Sequence, residues 1–160
     1  VLSLTGRNGQ EIQNTLARQL ADYVVLYSPV HMAADLPEHY AKFPQAFGFI
    51  RDVPVDWQDT RAPAGEVGDY AVIARKDRNS EDWYLGAVND EQRRRVSVPL
   101  DFLDAGRRYR AEIHRDGDDA DFRGAKRFSY VRETREVSAR DTLDLQLAPG
   151  GGTAIRFVAL

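Results

Sequence analysis

Two stretches, Glu66-Val-Gly-Asp-Tyr-Ala-Val-Ile-Ala-Arg-Lys and Asp82-Trp-Tyr-Leu-Gly-Ala-Val-Asn, decide the fold of this 160-residue chain. Their side chains alternate at a period of two, which is typical of β-strands. The polar residues 77–81 between them predict a turn, so the two strands form a hairpin. Both faces of this hairpin are largely apolar, and a strand of that kind is covered on both sides. We therefore expect the hairpin to lie at the centre of the domain.

The same alternation continues on both sides of the hairpin. It predicts an edge strand at 60–64 and further strands at 95–100, 108–114, 127–137 and 143–147, with a last strand that contains Ile155 and Phe157. In the strand at 108–114, Tyr109 and Ile113 should face inward and His114 should face solvent. About eight short strands joined by tight turns are typical of an antiparallel sandwich or barrel. The predicted fold class is therefore mainly β.

The residues before the strands have a helical pattern. From about Gly9, apolar side chains recur at steps of three and four as far as Tyr27, which predicts a helix that ends at Ser28-Pro29. Pro29 then predicts a short helix through Val30 and Met32, and another is predicted from about Pro44 to Ile50. The first helix is apolar over most of its circumference, so we expect it to pack against something larger than the strands that follow.

Composition excludes several function classes. The net charge is −3 with both signs interspersed, so neither nucleic acid nor a membrane surface is an expected partner. The chain has no cysteine, which excludes disulfides and thiolate chemistry. Residues 1–58 are poorer in charged side chains than the remainder, which suggests a boundary near that point. The chain begins at Val1 rather than Met, and we expect it to be a piece of a longer protein.

One acidic loop is the only candidate metal site that the sequence offers. Its carboxylates alternate as at the start of a calcium loop: Asp116, Asp118, Asp119 and Asp121. The glutamate that an EF-hand needs at its twelfth position is absent, and basic residues lie nearby, so a solvated turn is the favoured interpretation. The three histidines, His31, His39 and His114, lack metal-ligand spacing.

Aromatic residues offer the one candidate for sugar binding. Trp57, Trp83 and Tyr84 could stack on sugar rings, although aromatic side chains in the strands of a small domain are usually part of the core. Ser28 and Ser129 lie in no Gly-x-Ser-x-Gly context, so nucleophilic hydrolysis has no motif. Glycosidic cleavage needs two carboxyl groups roughly 5 to 10 Å apart across the bond, and no such pair is evident outside the acidic loop. We predict no catalytic and no cofactor-binding residue.

Six motifs in order resemble the C-terminal part of glycoside hydrolase family 97. They are Leu16-Ala-Arg-Gln-Leu-Ala-Asp-Tyr-Val-Val-Leu-Tyr-Ser-Pro-Val-His-Met-Ala-Ala-Asp-Leu-Pro-Glu-His-Tyr, Val53-Pro-Val-Asp-Trp-Gln-Asp-Thr-Arg, Gly65-Glu-Val-Gly-Asp-Tyr, Asp82-Trp-Tyr-Leu-Gly-Ala-Val, His114-Arg-Asp-Gly-Asp-Asp-Ala-Asp and Leu147-Ala-Pro-Gly-Gly-Gly. Together they extend over nearly the whole chain, and the ordered set is far more specific than any single motif.

The resemblance implies a division of the chain into two parts. Residues 1–55 would be helices from the end of a (β/α)8 catalytic barrel, and residues 56–160 the C-terminal β-sandwich. The parent would hydrolyse terminal α-glucosides or α-galactosides with a calcium ion, and would be periplasmic or secreted. The family's catalytic carboxylates and calcium ligands lie earlier in the protein, so this chain alone is expected to be inactive and to contain no cofactor.

The expected role is therefore structural. The sandwich would brace the missing catalytic barrel and contribute to contacts between subunits, and the apolar surface of the first helix, left alone, would be covered by self-association. The alternative is a carbohydrate-binding sandwich module that uses Trp57, Trp83 or Tyr84.

Overall fold

The computed structural model describes residues 2–160, apart from the side chain of Arg7. Its strands confirm the alternation in the sequence: β1 Trp57–Glu66, β2 Tyr70–Asp77, β3 Trp83–Asn89, β4 Arg94–Pro99, β5 Arg108–Asp116, β6 Tyr130–Ser138, β7 Thr142–Leu147 and β8 Gly152–Ala159. The helices are α1 Leu16–Val25, α2 Pro37–Ala41 and α3 Pro44–Asp52, with single 3₁₀ turns at Arg7–Gly9 and Gly124–Phe128. No helix among the described residues is long and apolar enough to cross a membrane.

The strands form two antiparallel sheets. Six of them pair in the order β1-β2-β3-β8-β5-β6, and β4 pairs with β7 in a separate two-stranded sheet. The fold is thus the predicted mainly β, antiparallel sandwich. Its first core lies between the two sheets, where Leu85, Tyr109 and Ile155 of the large sheet meet Val98 and Leu145 of the small one.

The helices cover the opposite face of the large sheet. A second core joins Leu16, Leu20 and Phe49 of the helices to Tyr84 and Ala154 of the sheet. This arrangement explains why the β2–β3 hairpin is apolar on both faces, because one face meets the small sheet and the other meets α1. The central position predicted for the hairpin is correct.

The helical layer departs from the sequence prediction at two points. The first helix begins at Leu16 rather than near Gly9, because the Thr15 hydroxyl accepts the Arg18 N–H at 3.2 Å and caps the helix there. The short helix predicted from Pro29 is absent from the described residues. Instead the Ser28 hydroxyl donates to the Val30 carbonyl at 2.6 Å and closes a local turn.

One further expectation is corrected by the packing of the helices. His114 was expected at the surface, but it is buried, since α3 covers its side of β5 and the Phe49 ring centroid lies 5.2 Å from the imidazole. The large sheet buries one stripe of α1, formed by Leu16, Leu20 and Val24, and the expectation that this helix packs against something larger than the strands stays a prediction. The predicted boundary at residues 55 and 56 stays a prediction.

Candidate interaction surface

Two glycines let α1 lie close against the sheet. A Cβ on Gly86 of β3 would lie 2.6 Å from the carbonyl oxygen of Ala21, and one on Gly152 of β8 would lie 2.9 Å from Cα of Arg18. Real Cβ atoms essentially never approach backbone atoms so closely. Any side chain at either position would therefore push the helix away from the strands.

The C-terminal end of α1 is held by one buried arginine. Nε of Arg75 donates to the Val24 carbonyl at 2.7 Å, and its Nη2 donates to the Val25 carbonyl at 3.3 Å. These carbonyls have no partner within the helix, and a positive charge is favourable at a helix C-terminus. Arg75 thereby fixes the point at which the chain leaves α1 for the segment that follows.

That segment, residues 26–36, places several large apolar side chains in solvent. Leu26 is 63 % exposed, Tyr27 64 %, Val30 68 %, Met32 79 % and Leu36 54 %. Three of them, Leu26, Val30 and Met32, line one shallow depression next to Tyr23, so they are neighbours in space as well as in sequence. We call these five side chains the 26–36 surface. Exposed apolar groups of this kind are typical of sites that contact another protein surface.

Defined contacts hold the 26–36 surface in place. The Tyr23 hydroxyl donates to the Met32 carbonyl at 3.3 Å, and the ring of His31 lies edge-on to Tyr23 at 5.2 Å. Asp35 accepts the Ser3 N–H at 2.8 Å. Burial of Asp35 opposes its ionisation, but the bonds from Ser3, His39 and Leu36 outweigh this and lower its pKa to about 2. The surface is thus exposed while its backbone is tied to the rest of the fold.

The acidic loop does not form a site in the described structure. Asp116 is buried at the end of β5, where its Oδ2 accepts the N–H groups of Ala148 at 3.2 Å and Gly152 at 2.9 Å. It is thus a structural link to the β7–β8 turn and no part of a solvated turn. Burial raises the pKa of Asp116 to about 6, against the opposing bonds from Thr15, Gly152 and Ala148.

The other three carboxylates of the loop have partners within the chain. Asp119 accepts the Ser129 hydroxyl at 2.5 Å, Asp121 accepts the Arg123 N–H at 2.9 Å, and Asp118 pairs with Arg115 at 3.3 Å. Among the described residues, no group of three or more metal-ligating side chains comes together. The residues present therefore do not fit a calcium ion.

The aromatic candidates for sugar binding lie in the interior. Trp57 is 7 % exposed, and Trp83 and Tyr84 are each 2 % exposed. Trp57 and Tyr84 meet edge-on at 5.6 Å in the core beneath the helices, whereas Trp83 packs on Phe102 at 5.3 Å in the core between the sheets. None of the three rings offers a face to a ligand in solvent.

Sequence reasoning missed the 26–36 surface as such. It assigned Val30 and Met32 to a short helix, although Val30, Met32 and Leu36 recur at even steps, which do not fit the helical period. Large apolar residues at a spacing that does not fit the predicted helix are the signal that could have indicated an exposed contact surface. Arg75 carried no comparable signal, because its partners are backbone carbonyls about fifty residues away.

A family model and two relatives of known or probable activity match most of this chain. The family model described as "Glycosyl-hydrolase 97 C-terminal, oligomerisation" matches residues 56–158. A retaining alpha-galactosidase from Bacteroides thetaiotaomicron is 35 % identical over 145 residues, which are 91 % of this chain and 21 % of that protein. A probable retaining alpha-galactosidase from Streptomyces bingchenggensis is 32 % identical over 86 % of this chain and 20 % of its own length.

A solved structure is similar over almost the whole chain. It is a glycoside hydrolase family 97 enzyme from Pseudoalteromonas sp. strain K8 in complex with panose, with 52 % identity and a TM-score of 0.92. The match covers 98 % of this chain and 24 % of that one. The chain thus spans about a fifth to a quarter of the length of these relatives, and the match includes the helices as well as the sandwich.

Proposed function

Because this chain belongs to the C-terminal domain family of glycoside hydrolase family 97, we propose that it is the non-catalytic accessory region of a longer α-glycosidase. In this proposal the chain braces a preceding catalytic barrel and contributes to contacts between subunits. The parent protein acts on terminal α-glucosides or α-galactosides, is periplasmic or secreted, and holds its calcium ion in the catalytic part. The relatives named above, which are four to five times longer, support this assignment.

The observation that carries the bracing role is the 26–36 surface. Its side chains are large, apolar and exposed, yet the backbone beneath them is fixed by Tyr23 and Asp35. Exposure of apolar side chains to water is unfavourable in free energy, and contact with a second surface removes this unfavourable exposure. The proposed occupant is the catalytic part of the same protein, because the relatives contain several times more chain than is present here.

One substitution tests the bracing role. Met32→Lys should lower the melting temperature of the longer protein and leave that of the 160-residue chain unchanged, since Met32 is 79 % exposed in the chain alone. Val67→Lys is the matched control, because Val67 is fully exposed on the turn between β1 and β2, away from the 26–36 surface. Equal melting temperatures for the longer protein with and without Met32→Lys would contradict the proposal.

The absence of catalysis in the chain itself has a separate test. The chain should not hydrolyse aryl α-glucosides or α-galactosides in the presence of calcium, whereas the longer protein should hydrolyse one of them. Turnover by the 160-residue chain that disappears when one of its own Asp or Glu residues is replaced would refute the assignment.

A further inference from the structure

Strand β6, at one edge of the large sheet, is long and regular, although such an edge can pair with strands of other molecules. Strand β6 spans nine residues, and its pairing with β5 continues without a register shift. The opposite edge strand, β1, contains Pro63 and two register shifts. Proline and bulges are two of the devices by which proteins block pairing at an edge. In the described part of the chain, β1 has them and β6 does not.

The charges of β6 form a self-complementary pattern. The sequence from residue 132 is Arg132-Glu-Thr-Arg-Glu136. If a second copy of β6 pairs with the first antiparallel about Thr134, Arg132 lies opposite Glu136 and Glu133 lies opposite Arg135. Directly opposed residues of antiparallel strands share one face of the sheet, where opposite charges attract and like charges repel. The two-fold symmetry of such a pair makes four favourable contacts.

The same pattern disfavours the neighbouring arrangements. A shift of one residue in one direction places Arg132 opposite Arg135, and a shift in the other direction places Glu133 opposite Glu136. Parallel pairing in register would place every charge opposite its own copy. Antiparallel pairing about Thr134 is thus the arrangement that the charges select.

We infer that β6 pairs with β6 of a second copy of this chain, so that two large sheets join into one continuous antiparallel sheet about a two-fold axis at Thr134. This inference rests on the self-association in the proposed function and assigns it a surface. A two-fold interface of this kind uses the same patch on both copies and closes after two. The partner is therefore a second copy and not an open chain of copies.

Ion pairs within each chain link the charged side chains of β6 to oppositely charged side chains of the neighbouring strand β5. Arg108 of β5 pairs with Glu136 at 2.6 Å, and Arg115 of β5 pairs with Glu133 at 3.4 Å. Glu112 of β5 lies 3.9 Å from Arg132. Pairing of two copies would therefore produce rows of alternating charge across four strands, for example Glu112, Arg132, then Glu136 and Arg108 of the second copy.

Three of the four charges at the edge are more than a third exposed, and the fourth, Glu133, is 30 % exposed and pairs with Arg135 of the same strand at 2.9 Å. The side chains of Arg132, Arg135 and Glu136 are 38 %, 53 % and 60 % exposed. Exposed ion pairs add little affinity, and their effect is on register and partner choice. The affinity of the pair comes mainly from the backbone N–H and C=O groups that an edge strand leaves free.

Two charge-reversed variants test the inference. Arg132→Glu/Arg135→Glu makes the edge acidic, and Glu133→Arg/Glu136→Arg makes it basic. In sedimentation equilibrium, the wild-type chain should dimerise, and each variant alone should dimerise at least about tenfold more weakly because like charges oppose each other. An equimolar mixture of the two should recover a heterodimer, since every opposed pair is then attractive.

A matched control uses arginines on other strands. Arg61→Glu/Arg95→Glu changes the net charge as much as the acidic variant does, and both side chains are more than half exposed on β1 and β4. This control should dimerise like the wild type. Hydrogen exchange of the unmodified chain gives a second measurement, in which protection of the β6 amides should fall on dilution while that of β3 stays constant.

The possible results separate the two claims. A wild-type chain that is monomeric at all concentrations contradicts both the proposed self-association and the β6 assignment. A wild-type dimer that persists in both variants, or β6 amides whose protection does not depend on concentration, overturns the β6 assignment alone.

Discussion

Gly86 and Gly152 set the distance between α1 and the large sheet. Both lie where the helix backbone crosses a strand, and the space that a Cβ would need is occupied by backbone atoms of residues 18 and 21. Backbone atoms cannot rotate away as a side chain can, so the whole helix would have to move. The two positions therefore accept glycine alone without strain.

Gly86→Ala should destabilise the fold by about 1 to 3 kcal/mol, because the added methyl group overpacks the contact between α1 and β3. The free energy of unfolding in urea measures this effect. Gly48→Ala in α3 is the matched control, since a Cβ there has no heavy atom within 4 Å. The control should be neutral or stabilising by up to about 1 kcal/mol, owing to the better helix propensity of alanine. Equal stabilities for the two variants would contradict this account of α1.

Asp116 gives the fold a pH dependence of known sign. Its pKa is raised from 3.8 to about 6 in the folded chain, so folding takes up a proton between these values. The contribution of Asp116 to stability is therefore fully present below about pH 4 and is lost as the pH rises through about 6. His114 acts in the opposite sense, since burial lowers its pKa from 6.5 to about 4. Its contribution to stability is lost as the pH falls from about 6.5 to about 4, because the imidazole of the unfolded chain is protonated first.

Asp116→Asn separates the contribution of the Asp116 carboxyl to the pH dependence of stability from that of His114. The amide oxygen can accept the same N–H groups of Ala148 and Gly152, but it does not ionise. The unfolding free energy of the variant minus that of the wild type should increase by about 2 to 3 kcal/mol from about pH 4 to about pH 7. Urea denaturation at both pH values measures this difference, in which the unchanged His114 contribution cancels. A difference that does not vary with pH would show that Asp116 is not a buried, ionising group.

At the scale of elements, Arg75 joins α1 to β2 through its bonds to Val24 and Val25. Arg75→Met should cost about 2 kcal/mol of stability, because it removes charge-assisted bonds and leaves the Val24 carbonyl without a donor. Amide hydrogen exchange should accelerate in the last turn of α1. Arg61→Met is the control, since its guanidinium is largely exposed and pairs with Asp59 at the surface. Unchanged exchange in α1 after Arg75→Met would mean that the arginine does not hold the helix.

The strands could be predicted from sequence because their pattern is local. In each alternating run from Tyr70 to Phe157, the period of two is evident from adjacent residues. Strands β2 and β3 were predicted to be central because both of their faces are apolar. His114 could not be placed correctly by the same rule. Its burial depends on α3, which lies more than sixty residues earlier and covers that face of β5. The pattern of one strand contains no information on what covers it.

The helical segment and the acidic loop show the same limit. Val30 and Met32 were assigned to a helix because Pro29 suits a first helical turn, but the Ser28 hydroxyl supplies a competing local bond. Asp116 was grouped with its neighbours in the loop because all four are carboxylates. Only the approach of the β7–β8 turn, with its N–H groups, separates Asp116 from them.

At the scale of the whole molecule, the two faces of the large sheet are covered, whereas the 26–36 surface is exposed to solvent. The small sheet covers one face of the β2–β3 hairpin and α1 covers the other, so the sandwich and the helices share the large sheet. Beyond α1, the 26–36 surface remains open to solvent. This asymmetry is what an accessory region that docks on a larger catalytic part requires.

Oxidation of Met32 tests the proposed docking most directly, because Met32 is the only methionine of the chain and is 79 % exposed. Hydrogen peroxide oxidises a thioether at a rate that follows its exposure. Mass spectrometry of the peptide that contains Met32 gives this rate in both the 160-residue chain and the longer protein. We predict oxidation at least about tenfold slower in the longer protein. Equal rates in the two would contradict the account.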